Sequence, residues 1–64
     1  MTQNEIKRLK EIVIYNGLGY FKDEEKLVSG LEKLGYVTLD TKRRFARATQ
    51  NGINFLIQGG YLNV

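Results

Sequence analysis

The sequence predicts an α+β fold in the order helix, helix, β-hairpin, helix, with the helices against a small antiparallel two-stranded sheet. Three observations predict it. Apolar residues recur at helical spacing in residues 6–13, 27–34 and 53–57. Between the last two, Tyr36-Val37-Thr38-Leu39 alternates as a half-buried strand does. Glycine or Asn-Gly follows each helical stretch, at Asn16-Gly17, Gly35 and Gly59-Gly60.

The first helix opens on Thr2-Gln3-Asn4-Glu5. This matches the capping box, in which a hydroxyl starts the helix and a carboxylate three residues on reaches back. Ile6, Leu9, Ile12 and Val13 form one stripe, and Glu5 with Arg8 and Lys7 with Glu11 are spaced to pair across a turn. Asn16 and Gly17 tolerate positive φ and should stop the helix. Ile14 and Tyr15 lie off the stripe and call for cover from another element or a second subunit.

Residues 17–21 read as a short apolar connector. Asp23 is suited to cap the second helix, with Glu24 and Glu25 near its positive end. Leu27, Val28, Leu31 and Leu34 make its apolar face. Gly30 is unfavourable inside a helix, so its expected use is close approach of another element. Gly35 is placed as the glycine that ends the helix. The polar stretch Asp40 to Arg43 can turn, and Arg44 to Ala48 can return as a second strand. Thr49 can cap a third helix over Gln50 to Gln58, carrying Ile53, Leu56 and Ile57 on one side. The tail Tyr61-Leu62-Asn63-Val64 is apolar enough that it should pack or pair.

With 64 residues the chain is expected to form a single domain, residues 1–64. It has no Cys, no His, no Pro and no Trp, which excludes disulfide staples and Cys/His zinc sites. A 42% hydrophobic share argues against disorder. No apolar run reaches the ~20 residues that span a bilayer, and the N-terminus lacks a signal-peptide pattern, so a cytoplasmic location is the expectation. No membrane partner, cofactor or small-molecule substrate is expected. A core this small leaves a homodimer or a bound protein partner open.

Enzymatic activity is not expected. No His offers a base near neutral pH and no Cys a nucleophile. Ser29 is the one serine and stands mid-helix beside Gly30. Gly17-x-Gly19 lacks the third glycine of a dinucleotide loop and reads as a turn. Asp23-Glu24-Glu25 fits a helix start better than a cation loop.

Charge is the informative feature. Residues 1–35 carry six basic and six acidic side chains, whereas residues 36–64 carry Lys42, Arg43, Arg44 and Arg47 against Asp40 alone. The formal net charge of +3 therefore belongs to the hairpin. If Ala46 and Ala48 face inward, Arg43, Phe45 and Arg47 share the outward face of the strand. Guanidinium groups beside an aromatic ring suit nucleic acid, since Arg forks onto phosphate and a ring stacks on a base or wedges against a sugar. The candidate contacts are Lys42, Arg43, Arg44, Phe45 and Arg47. Two other readings stand beside this one: a solvated hairpin tip, where basic side chains discourage edge-to-edge aggregation, and a protein contact.

Leu31-Glu32-Lys33-Leu34-Gly35-Tyr36-Val37, then Ala46-Arg47-Ala48-Thr49-Gln50-Asn51-Gly52, then Phe55-Leu56, resemble a winged helix-turn-helix DNA-binding domain. The first stretch is similar to the end of that family's recognition helix, and the later ones to wing strands followed by a "T-x-x-G-x-x-F-L" helix start. The likeness spans residues 27–58. The Gly-Gly-Tyr ending is similar to that of small bacterial proteins of this type. The resemblance implies a winged-helix-like fold and a partner in duplex DNA. It departs from the family in having two helices before the wing instead of three, with Leu18 to Lys22 too short for an ordinary middle helix. The helix that would enter the major groove is acidic at its start, which repels phosphate, so DNA contact would fall on the wing.

Overall fold

A computed structural model describes residues 1–62. The chain folds as α1 (Gln3–Ile14), β1 (Leu18–Gly19), a 3-10 turn (Lys22–Glu24), α2 (Glu25–Lys33), β2 (Val37–Asp40), β3 (Phe45–Ala48) and α3 (Gln50–Gln58). The α+β class holds, but the sheet has three antiparallel strands in the order β1-β3-β2, not two. The expected connector supplies the third strand: Leu18 pairs with Ala46 and Gly19 with Phe45. The Tyr20 N–H extends this pairing by donating to the Arg44 carbonyl at 2.8 Å. Leu18 to Lys22 is therefore no reduced middle helix. A two-residue strand carries almost no local signal of its own and is specified by the open edge of β3.

Each helix begins and ends for a local reason. At Thr2 both halves of the capping box are present: the Glu5 N–H donates to Thr2 Oγ1 at 3.2 Å and the Thr2 N–H to Glu5 Oε1 at 2.9 Å. The Thr2 N–H and the Thr2 hydroxyl, the latter at 3.1 Å, both donate to Glu5 Oε1 and hold the Glu5 carboxyl below its ordinary pKa, the backbone bond being the larger cause. All three helices end in a Schellman motif. The bonds are Gly17 N–H to the Ile12 carbonyl with Asn16 to Val13, Tyr36 to Leu31 with Gly35 to Glu32, and Tyr61 to Leu56 with Gly60 to Ile57. The residues at the reversal, Asn16, Gly35 and Gly60, have φ of 55°, 80° and 77°.

The start of α2 differs from expectation. Asp23 is exposed within the 3-10 turn and caps nothing; Glu24 reaches back instead, accepting the Phe21 N–H at 2.9 Å. The same carboxylate binds the Arg8 guanidinium of α1, and Arg8 also lies 3.7 Å from Glu11. Glu24 thus fastens the second helical segment to the first. The expected Glu5–Arg8 and Lys7–Glu11 pairs give way to this arrangement, because Glu5 is committed to its cap.

The core takes one or more residues from every α-helix and strand except β1: Leu9 and Ile12 of α1, Val28 and Leu31 of α2, Val37, Ala46, Leu56, and Tyr20 from the connector. Leu34, expected on the buried face of α2, is half exposed at the helix end. The stretches that carry the family resemblance pack on one another. Thr49 caps α3 through the Gly52 N–H at 3.1 Å, while its hydroxyl donates to the Gly35 carbonyl at 2.6 Å and its N–H to the Tyr36 carbonyl at 2.9 Å. Gly52 permits this approach: a Cβ there would lie 2.3 Å from the Tyr36 carbonyl oxygen. Phe55 stacks on Tyr36 at 5.0 Å between centroids, and Leu56 is fully buried. Gly30, by contrast, faces no backbone; its missing Cβ would meet only the Glu5 carboxylate. The approach of another element expected at Gly30 is thus by a side chain of α1, and the closest backbone approach is at Gly52. Tyr61 stacks on Phe55 and Leu62 packs against the core, so this much of the tail packs as expected. Asn63 and Val64 lie outside the described residues.

Candidate nucleic-acid interface

The hairpin register is Val37 opposite Ala48, Thr38 opposite Arg47, Leu39 opposite Ala46 and Asp40 opposite Phe45. Side chains alternate across a strand, so Val37, Leu39, Ala46 and Ala48 point to the helices. Thr38, Asp40, Phe45 and Arg47 point the other way. Ala46 is buried and Arg47 exposed, which fixes the sense of the alternation. Phe45 and Arg47 thus share the outward face, as expected from the sequence.

The turn is built by Asp40. Its Oδ1 accepts the N–H groups of both Lys42 and Arg43 at 3.2 Å. The chain then reverses at Arg44, which has φ of 51°. Arg44 belongs to this turn and not to the strand, which starts one residue later. Lys42, Arg43 and Arg44 are all exposed at the tip. The Arg43 side chain is 86% exposed, and its Nε lies 3.9 Å from Asp40 Oδ2. An ion pair of that length at the surface contributes little, so Arg43 remains available to an outside anion.

Phe45 is half-buried by what lies beside it. Its cross-strand partner Gly19 has no side chain, and its ring edge rests on Gly17, where a Cβ would lie 2.6 Å from the ring Cζ. The Arg47 guanidinium carbon sits 5.7 Å from the ring centroid, within cation–π range. Together with Arg43, Thr38, Leu39 and Asp40, these residues line a cleft of about 380 Å³. Of the five sequence-nominated residues, Arg43, Phe45 and Arg47 meet in this cleft, while Lys42 and Arg44 stand at the turn outside it. Thr38, Leu39 and Asp40 were missed. Their membership follows from the cross-strand register, which only the folded hairpin sets.

A second surface groove is lined by Asn4, Lys7, Arg8, Glu11 and Leu27. Its guanidinium is already paired to Glu24 and Glu11, so it offers an outside anion less than the hairpin does. Among the described residues, no helix is long and apolar enough to cross a membrane. No family model, curated protein or solved structure matches the chain.

Proposed function

We propose that this chain is a small nucleic-acid-binding or transcription-accessory domain of winged-helix type that contacts phosphate through its basic hairpin. The observation that carries the reading is the confinement of the net charge of +3 to Lys42, Arg43, Arg44 and Arg47, all exposed on or beside one turn. Arg44 adds to it. A left-handed backbone position favours glycine, yet here it carries a cation, a local cost of the sort that accompanies functional surfaces. In this reading Lys42, Arg43, Arg44 and Arg47 neutralise phosphates, Phe45 contacts a base or sugar, and α2 stays out of the groove because Asp23 and Glu25 are exposed at its start. The packing of the Leu31–Tyr36 stretch on the Thr49–Leu56 stretch supports the winged-helix comparison at the level of the scaffold.

Binding to mixed-sequence duplex DNA, followed by fluorescence anisotropy across a salt series, tests this. Four phosphate contacts give a slope of about −3.6 in log K against log salt. Arg43→Ala with Arg47→Ala should reduce the slope to about −1.8. Binding that survives the double substitution unchanged refutes the proposal.

A second reading has its own observation. Ile14, Tyr15 and Phe21 are 58%, 67% and 79% exposed, so nothing among the described residues covers them. They favour a protein-interaction or homodimerisation role without nucleic acid. Sedimentation that shows a monomer at high concentration counts against the dimer.

A further inference from the structure

Phosphate contact at the turn does not account for the cleft beside it. Its aromatic member is held on bare backbone: Gly17 lies under the ring edge, and Gly19 stands opposite with only the Arg44 carbonyl oxygen, at 3.7 Å, near its missing Cβ. The same cleft holds two guanidiniums: Arg43, whose side chain is 86% exposed, and Arg47, which lies over one face of the ring, 5.7 Å from its centroid. The space of about 380 Å³ also holds the Asp40 carboxylate and Thr38, which can hydrogen-bond the edge of a polar ring.

From this set of groups we infer that the cleft seats one unpaired nucleotide, its base against the Phe45 ring and its phosphate on Arg43 and Arg47. The inference rests on the nucleic-acid reading and narrows it to strands with exposed bases. A paired duplex presents its base faces to neighbouring bases, and a side chain reaches them only by prying a base step apart. A single strand can splay a base onto an aromatic platform, and a stack of this kind tolerates any sequence because every base has a π-face. The ligand class is therefore single-stranded nucleic acid or the open strand of a junction.

The test compares a labelled oligothymidylate single strand with a mixed-sequence duplex of equal length, by anisotropy at one fixed salt concentration. Phe45→Leu keeps an apolar cover over Gly17 and removes the π-face. The wild type should bind the single strand more tightly, and Phe45→Leu should lose about tenfold of that affinity, a larger factor than it loses on the duplex. A stacked base should also shift the Phe45 ring protons upfield in NMR spectra of the wild type, a readout that needs no folded variant. Salt-dependent binding of both strands with no ring-proton shift, or with Phe45→Leu equal to wild type, overturns the inference and leaves phosphate contact standing. No binding to either strand overturns both.

Discussion

Replacing Gly52 by alanine should destabilise the fold, although alanine is the better helix former. A Cβ at position 52 would lie 2.3 Å from the Tyr36 carbonyl oxygen, with the Tyr36 carbonyl carbon at 3.1 Å. Both are backbone atoms at the head of β2 and cannot rotate away. To reach ordinary contact the N-terminus of α3 must withdraw by about 1 Å. That movement stretches the 2.9 Å bond from the Thr49 N–H to the Tyr36 carbonyl and the 2.6 Å bond from the Thr49 hydroxyl to the Gly35 carbonyl. Overpacking costs ~1–3 kcal/mol, and each weakened hydrogen bond up to ~1 kcal/mol. Helix propensity returns ~1 kcal/mol. The net loss is then about 2 kcal/mol, within a range of about 0–4, and ~2 kcal/mol lowers Tm by about 8–16 °C for a domain of this size. Gly30→Ala is the matched control. It sits inside α2, and its Cβ would meet only Glu5 Oε2 at 3.0 Å, a side-chain atom that can shift by a few tenths of an ångström where a backbone carbonyl cannot. That variant should gain up to ~1 kcal/mol. Urea and thermal unfolding followed by circular dichroism measure both. If Gly52→Ala matches the wild type, or if Gly30→Ala loses as much as Gly52→Ala, the account of α3 docking is wrong.

Three further outcomes follow from single features of the structure. Arg44→Gly should raise stability by ~1 kcal/mol by relieving a left-handed arginine, and lower the salt slope of DNA binding by ~0.9 by removing one cation; thermal melts and anisotropy read the two effects separately. Arg8→Met and Glu24→Gln should couple by ~1 kcal/mol in a double-mutant cycle, because both side chains are largely shielded, at 24% and 20% exposure; additive effects would show that the pair is idle. The folded Glu5 carboxyl titrates below its ordinary 4.5, so its contribution is present above that pH and is lost as the pH falls through the lower folded value; Glu5→Gln should flatten this acid-side loss of Tm, and Thr2→Ala, which keeps the backbone bond, should only lessen it.

The legible parts of the sequence were those with short-range causes. Thr2 and Thr49 start helices through bonds to residues three positions on, and Asn16, Gly35 and Gly60 end them within the same turn. The outward placement of Phe45 and Arg47 needed only strand alternation and the inward Ala46. Where side chains competed for a partner, local reading misplaced them. Asp23 looked like a cap and Glu24 took the role, because Glu24 alone could serve both the Phe21 N–H and Arg8.

By itself, then, the sequence determined the limits of α1 and α3, the end of α2, the hairpin, the α+β class and the site of the surplus charge, since each depends on residues a few positions apart. Tertiary structure alone decided that Leu18 and Gly19 form a third strand, that Gly52 and not Gly30 receives a neighbouring backbone, and that Thr38 and Asp40 join Phe45 in one cleft. Each of these depends on which backbone lies across from which. That is settled by packing around the shared core of Leu9, Ile12, Leu31 and Leu56, and no spacing along the chain encodes it.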